Sequence, residues 1–242
     1  MCRMIAFASA EPVDGTPYLA RLADFSRRGN LVDGWERRPG GNHPDGWGIA
    51  YLQEGGIRVL RSGKPACADP LLGETRVRTD RFLGHVRYAS NAATVNAANA
   101  HPFVAGGIAL AHNGTFRGSV GREADARGVS DTLVFLERLA GRWREKTLHA
   151  LREALSGMLG DPGLVGDYSA ANMLIASGGK LFALRKFRMN EGYYTLFLRA
   201  TPGRVEAASE PPDDDAGWEP MGNGLLAELY PRGSRSVSLS GE

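Results

Sequence analysis

Apolar residues in this chain come in short blocks with period-two or period-3.6 spacing, not in long stripes. RMIAFAS at 3–9 predicts a short buried strand. In PYLARLADFSRR (17–28), Leu19, Leu22 and Phe25 recur at helical spacing, and Pro17 suits a first turn. A loop rich in Gly, Pro, Asn and Asp follows, RRPGGNHPDGWG at 37–48. Strands are predicted at 49–52 and 57–61, turned by Gly55-Gly56, and again at 81–90, RFLGHVRYAS. NAATVNAANAHPF reads as a long loop of small residues. GIALAH (107–112) is a strand ending at Asn113-Gly114.

The middle of the chain changes period. Ser130-Asp131 looks like a helix start, and Thr132, Leu133, Phe135, Leu136 and Leu139 continue it. A second amphipathic helix fits 144–159. Strands then return: AANMLIAS and KLFALRKF flank Gly178-Gly179, a strong hairpin signal. Further strands fit 193–200, 204–209 and 224–229, and EPPDDDAGWEP is a loop with three solvated aspartates. Strands, then helices, then strands, with many hairpins, predict a mostly antiparallel α+β architecture in a single domain over 1–242.

Composition narrows the function classes. The 242 residues suffice for a sizeable core, and 43% apolar with 23% charged residues is ordinary for a globular protein. A formal charge of +2 gives no reason to expect nucleic acid or an anionic membrane as partner. Two cysteines, Cys2 and Cys67, make no disulfide framework. No apolar run approaches the roughly 20 residues that span a bilayer, and the start lacks a secretory apolar run. A cytoplasmic location is the expectation.

Seven positions invite chemistry. Cys2 follows the initiator methionine. If Met1 is trimmed, its thiol sits beside its own α-amine, whose pKa is ordinarily about 7.7–8.0, so one residue supplies nucleophile and base. By position alone Cys2 is equally a packing residue that opens a strand. Attack on an amide needs an oxyanion hole, and Asn113 and Gly114 offer a side-chain amide and an uncrowded backbone N–H; alone they also read as an ordinary Asn-Gly turn. Arg87, ending a strand, suits a carboxylate. Asp131 suits an ammonium, or simply the first turn of a helix. His85 and His101 are pocket candidates, though each alone is more often a satisfied structural residue. The spacing of His43, His85, His101 and His112 matches no metal-binding pattern, so no metal or cofactor is expected.

In order along the chain, MCRMIAF, PDGWGIAY, HVRYAS, NAHPF, AHNG and SDT resemble the class II glutamine amidotransferases, whose catalytic domain is an N-terminal-nucleophile hydrolase. AANMLIASGGKLFALR and ASEP…GWEPMGNGLL look like the C-terminal half of the stand-alone branch of that family. That branch includes γ-glutamyl hydrolases of ergothioneine synthesis and the amidotransferase-like subunit of a glutathione-degrading complex.

The resemblance implies a four-layer αββα sandwich with two mostly antiparallel sheets. It implies Cys2 as nucleophile, Asn113 and Gly114 as oxyanion hole, and Arg87 on the substrate α-carboxylate. Tyr88 to Ser90 would lie in the loop closing over it, His101 in the pocket, and Asp131 on the α-amino group. The implied reaction is hydrolysis of a γ-glutamyl amide through a glutamyl thioester, on a small-molecule substrate. The alternative is a non-catalytic or ammonia-supplying subunit working with a partner synthase or peptidase chain. Two departures stand out. Ser90 replaces the more usual threonine, keeping the hydroxyl. Thr132 is followed by Leu133 where the family often has a carboxylate.

Overall fold

The computed structural model describes residues 2–29, 41–212 and 217–239. β1 (Arg3–Asp14) leads into α1 (Thr16–Arg27). The hairpin β2 (Trp47–Gln53) and β3 (Gly56–Ser62), the short α2 (Pro70–Glu74) and β4 (Arg78–Val86) follow. Next come β5 (Phe103–Ala105), β6 (Ile108–Gly114) and the helices α3 (Gly118–Arg127), α4 (Asp131–Arg142), α5 (Leu148–Leu159) and α6 (Pro162–Val165). The last third holds β7 (Ala171–Ser177), β8 (Lys180–Arg185), β9 (Phe197–Thr201), β10 (Arg204–Ala208), β11 (Glu219–Pro220), β12 (Leu225–Tyr230) and β13 (Gly233–Ser238).

The strands form two antiparallel sheets. One has the order β11-β9-β10-β1-β4-β2-β3, the other β13-β12-β8-β7-β6-β5. Strand alternation sorts the apolar side chains into three interfaces. Met4, Ala6 and Ala8 of β1 face Ala111, Leu174 and Ala183 of the other sheet, and alanines interleave with leucines and methionines to fill the space between the sheets. On the opposite side of β1, Ile5 and Phe7 pack with Leu19, Leu22 and Phe25 of α1. On the outer face of the second sheet, Leu110, Met173 and Ile175 meet Val120, Phe135, Leu139, Leu151 and Leu155 of the helices. Helices, sheet, sheet, helices is the αββα sandwich.

Several elements differ from the sequence expectation. β1 runs on to Asp14, pairing again with β4 at Val13–Thr79 after an irregularity. The second helix starts at Leu148, not 144, because the Thr147 side chain accepts the Ala150 N–H and caps it. The strand expected at 193–200 begins at Phe197; Asn190, at φ 59°, turns the chain first. β4 ends at Val86, leaving residues 87–90 outside the ladder. α3, β5 and β13 were not predicted. Within the expected loops, 37–40 and the three aspartates 213–215 lie outside the described residues, and Glu219–Pro220 pairs with β9.

Candidate active site

β1 and β4 are antiparallel with Arg3 opposite Val86, so Cys2 and Arg87 emerge at the same end of the sheet. The Tyr88 N–H points at Cys2 Sγ from 3.4 Å, and the sulfur lies 3.7 Å from the Tyr88 carbonyl oxygen. The loop before β2 clamps this strand end. Arg87 N donates to Gly46 O at 2.8 Å, Asp45 N donates to Arg87 O at 3.1 Å, and Ala89 N donates to Asp45 Oδ2 at 2.8 Å. Gly46 sits at φ +115°, and a Cβ there would meet Ser62 O at 2.7 Å, so the turn needs glycine. Cys2 is 7% exposed. Burial pushes its thiol above its ordinary pKa, and the Tyr88 N–H and the Arg87 and Arg3 guanidiniums act in the other direction. At rest the sulfur is a thiol.

The second sheet contributes the end of β6. Asn113 pairs with Asn172 of β7, and Gly114 with Ala171. Asn113 is fully buried, yet neither Oδ1 nor Nδ2 has a hydrogen-bond partner among the described residues. Leaving a buried amide unsatisfied costs about 1–3 kcal/mol. Gly114 lines the cavity at Cys2; Asn113 does not. The reason for glycine also differs from the expected one. A Cβ at Gly114 would lie 1.8 Å from Ala170 O and 2.6 Å from His112 Nε2, so the neighbouring backbone, not substrate approach, demands it.

Arg87 is 6% exposed; its Nη2 donates to Thr94 Oγ1 at 2.7 Å and its Nη1 to Thr94 O. Burial lowers its pKa, opposed by the carboxylates of Asp45 and Asp131 and by Cys2 once its thiol ionises. Asp131 opens α4 behind the N-cap Ser130. One carboxylate oxygen accepts the Phe116 N–H, the other the Thr132 N–H at 2.9 Å. Both residues border a cavity of about 360 Å³. A second cavity, about 380 Å³, holds Cys2, Tyr88 and Gly114. Ser90, Thr115 and Arg117 line both, so the two adjoin.

His101 is the exception among the expected residues. Its ring is 4% exposed and lines neither cavity. Nδ1 lies 3.1 Å from His85 Nε2, and Nε2 lies 3.4 Å from Ser130 Oγ. A direct substrate contact is therefore corrected to a supporting position behind the N-cap of α4. His112 spans from Thr132 Oγ1, at 3.0 Å, to Ala170 O, at 3.2 Å, and ties the α4 start to the sheet. Burial holds His85 and His101 well below the ordinary histidine pKa. Among the described residues, no three or more His, Cys, Asp or Glu side chains are grouped to hold a metal. No described helix is long and apolar enough to cross a membrane.

Sequence reasoning missed the clamp residue Asp45, although its PDGWG stretch was singled out. It also missed Thr115, Arg117, Asp167, Ser169 and Met189 on the cavity walls; these come from separate loops with no shared spacing.

The family model for glutamine amidotransferases class-II matches residues 1–209. The chain belongs to the class II glutamine amidotransferases. The chain is 30% identical over 180 residues to uncharacterized protein MJ1515 of Methanocaldococcus jannaschii, covering 70% of this chain and 50% of that one. It is 27% identical over 236 residues to the gamma-glutamyl-hercynylcysteine sulfoxide hydrolase of Mycolicibacterium smegmatis, covering 95% and 96% of the two chains. In fold, it superposes on the glutamine phosphoribosylpyrophosphate amidotransferase from B. subtilis complexed with ADP and GMP. The TM-score is 0.68 at 19% identity, over all of this chain and 50% of that one. The chain thus spans about half the length of the archaeal relative and of the B. subtilis chain.

Proposed function

We propose that this amidotransferase-family protein hydrolyses a γ-glutamyl amide with Cys2 as nucleophile. The observation that carries the reading is the adjoining of two cavities. One holds a thiol; the other is bordered by a buried guanidinium and a carboxylate, the pair an α-amino acid head group requires. Removal of Met1 frees the Cys2 α-amine. That amine takes the Sγ proton, and the thiolate attacks the γ-carbonyl carbon. Asn113 Nδ2 and the Gly114 N–H stabilise the oxyanion. Arg87 holds the α-carboxylate and Asp131 the α-ammonium, with Tyr88 and Ser90 bounding the chain between. The C–N bond breaks, the amine leaves with the proton, and water then releases glutamate from the thioester. The 95% alignment with a γ-glutamyl hydrolase supports this reaction class. Cores that draw on residues from Met4 to Leu239 support one catalytic domain over 1–242. Two free cysteines, one of them the nucleophile, fit a reducing cytoplasm.

A second reading is an ammonia-supplying or binding subunit of a larger synthase or peptidase assembly. It draws on the 36% identity over 140 residues to the glutamine--fructose-6-phosphate aminotransferase of Thermus thermophilus, which covers 54% of this chain and 23% of that one. The test for both is glutamate release from glutamine and a panel of γ-glutamyl compounds, comparing the wild type with Cys2→Ala. Release by the wild type alone supports the hydrolase. Equal release by both ends the Cys2 mechanism. Substrate binding without release favours the second reading.

A further inference from the structure

The Cys2 cavity is far roomier than ammonia needs. A water-sized molecule fills on the order of 10–15 Å³ of such space, against about 380 Å³ here. On the γ-glutamyl hydrolase reading, on which this inference rests, the glutamyl head occupies the Arg87–Asp131 cavity and the scissile carbonyl lies at Sγ. The rest of the Cys2 cavity then faces the departing amine. Its wall there includes Arg117, Asp167, Ser169, Met189, Tyr193 and Tyr194.

The charges on that wall are unequal. Asp167 is paired with Arg188 at 3.1 Å. Arg117 is exposed, and its guanidinium makes no ion pair or side-chain hydrogen bond among the described residues. Its backbone, in contrast, is fixed. Arg117 N donates to Val165 O at 2.8 Å, and the next residue, Gly118, is at φ +39° with Leu164 O 2.4 Å from where a Cβ would be. A rigid root thus holds an unanswered cation at the boundary of the two cavities. The scissile nitrogen must lie near that boundary. A carboxylate on the carbon bonded to that nitrogen falls within the same region, and the guanidinium fork suits it. The Ser169 hydroxyl, buried and without a hydrogen-bond partner among the described residues, is a further polar group on the same wall. Met189, Tyr193 and Tyr194 supply apolar and aromatic surface for a side chain.

We propose that Arg117 is a specificity-determining residue that binds a carboxylate on the leaving amine. The preferred substrates are then γ-glutamyl conjugates of amino acids or peptides, not γ-glutamyl derivatives of simple amines.

The test uses a matched pair that differs only in that carboxylate: γ-glutamyl-phenylalanine and γ-glutamyl-phenethylamide. Glutamate release gives kcat/KM for each with the full-length protein. The wild type is expected to favour the acid by about tenfold or more, equivalent to about 1.4 kcal/mol. Arg117→Ala should bring the ratio near one, and Arg117→Lys should fall between. A wild-type ratio near one, or a ratio kept in Arg117→Ala, overturns the proposal. Equal loss on both substrates also overturns it, placing Arg117 on the glutamyl head group. If folded wild type with a processed terminus releases glutamate from neither compound nor from glutamine, the hydrolase reading itself fails, and this one with it.

Discussion

The Cys2 sulfur sits 3.4 Å from the amide nitrogen of Tyr88, the residue that follows Arg87. Backbone pairing sets this proximity, since Arg3 and Val86 are partners in the β1–β4 ladder. A candidate nucleophile and a candidate carboxylate-binding cation are therefore positioned by sheet geometry rather than by flexible side chains. Preorganisation of this kind lowers the entropic cost of bringing reacting groups together. The predictions below follow from that arrangement and from the groups facing it.

Asn113 is the clearest separation of stability from catalysis. Its side-chain amide makes no hydrogen bond among the described residues, so Asn113→Ala removes none of the bonds described for the resting protein. On the proposed mechanism it removes an oxyanion donor, and kcat should fall about 10²–10³-fold with little change in KM. Steady-state kinetics alongside a thermal melt checks this. A large drop in melting temperature with kcat preserved would assign Asn113 to the core alone.

Arg87 and Asp131 should act on binding. Arg87→Lys keeps the charge but loses the fork that reaches Thr94 and a carboxylate together. KM for a γ-glutamyl substrate should rise about tenfold or more, equivalent to at least about 1.4 kcal/mol. Asp131→Asn should erase the discrimination between glutamine and its analogue lacking the α-amino group. A discrimination that survives the substitution would remove Asp131 from the head-group site.

The buried histidines set an acid limit on stability. Desolvation, aided by the nearby Arg87 charge, holds His85 and His101 well below the ordinary value of 6.5 in the folded state. Below about pH 6.5 the unfolded chain takes up protons that the native state refuses, so stability falls as pH falls. Each such histidine contributes a slope of about 1.4 kcal/mol per pH unit until its folded pKa is reached. Urea unfolding between pH 6.5 and 5 should show this loss, and His85→Gln should make the slope shallower by about one histidine's share. An unchanged slope in that variant would mean His85 is not a neutral buried base.

Much of the fold was legible because the signals were local. Gly178-Gly179 turns β7 into β8 with both residues at positive φ, as such a pair in a two-residue hairpin should. Ser130 caps α4 where the Ser-Asp pair placed it. α3 was missed because Gly118 and Gly121 dilute its helical pattern and its buried side chains are only Val120 and Ala124. β13, an edge strand with a mostly exposed SRSVS stretch, lacks the apolar alternation that marks a strand. The placement of the candidate residues was legible where they end regular elements: Cys2 before β1, Arg87 after β4, Gly114 at the end of β6, Asp131 opening α4. His101 was misread because a histidine's type does not tell whether it faces a cavity or the N-cap behind it. The amine-side wall was invisible because Arg117, Asp167 and Met189 meet only after the chain has folded.

The central claim is acyl transfer to a thiol at a freed amino terminus, and peptide mass mapping after rapid acid quench of a γ-glutamyl substrate tests it most directly. The account predicts a terminal peptide that begins at Cys2 and carries a glutamyl group on its sulfur, absent from Cys2→Ala. Turnover by protein that retains Met1, or a glutamyl adduct on any other residue, would contradict it.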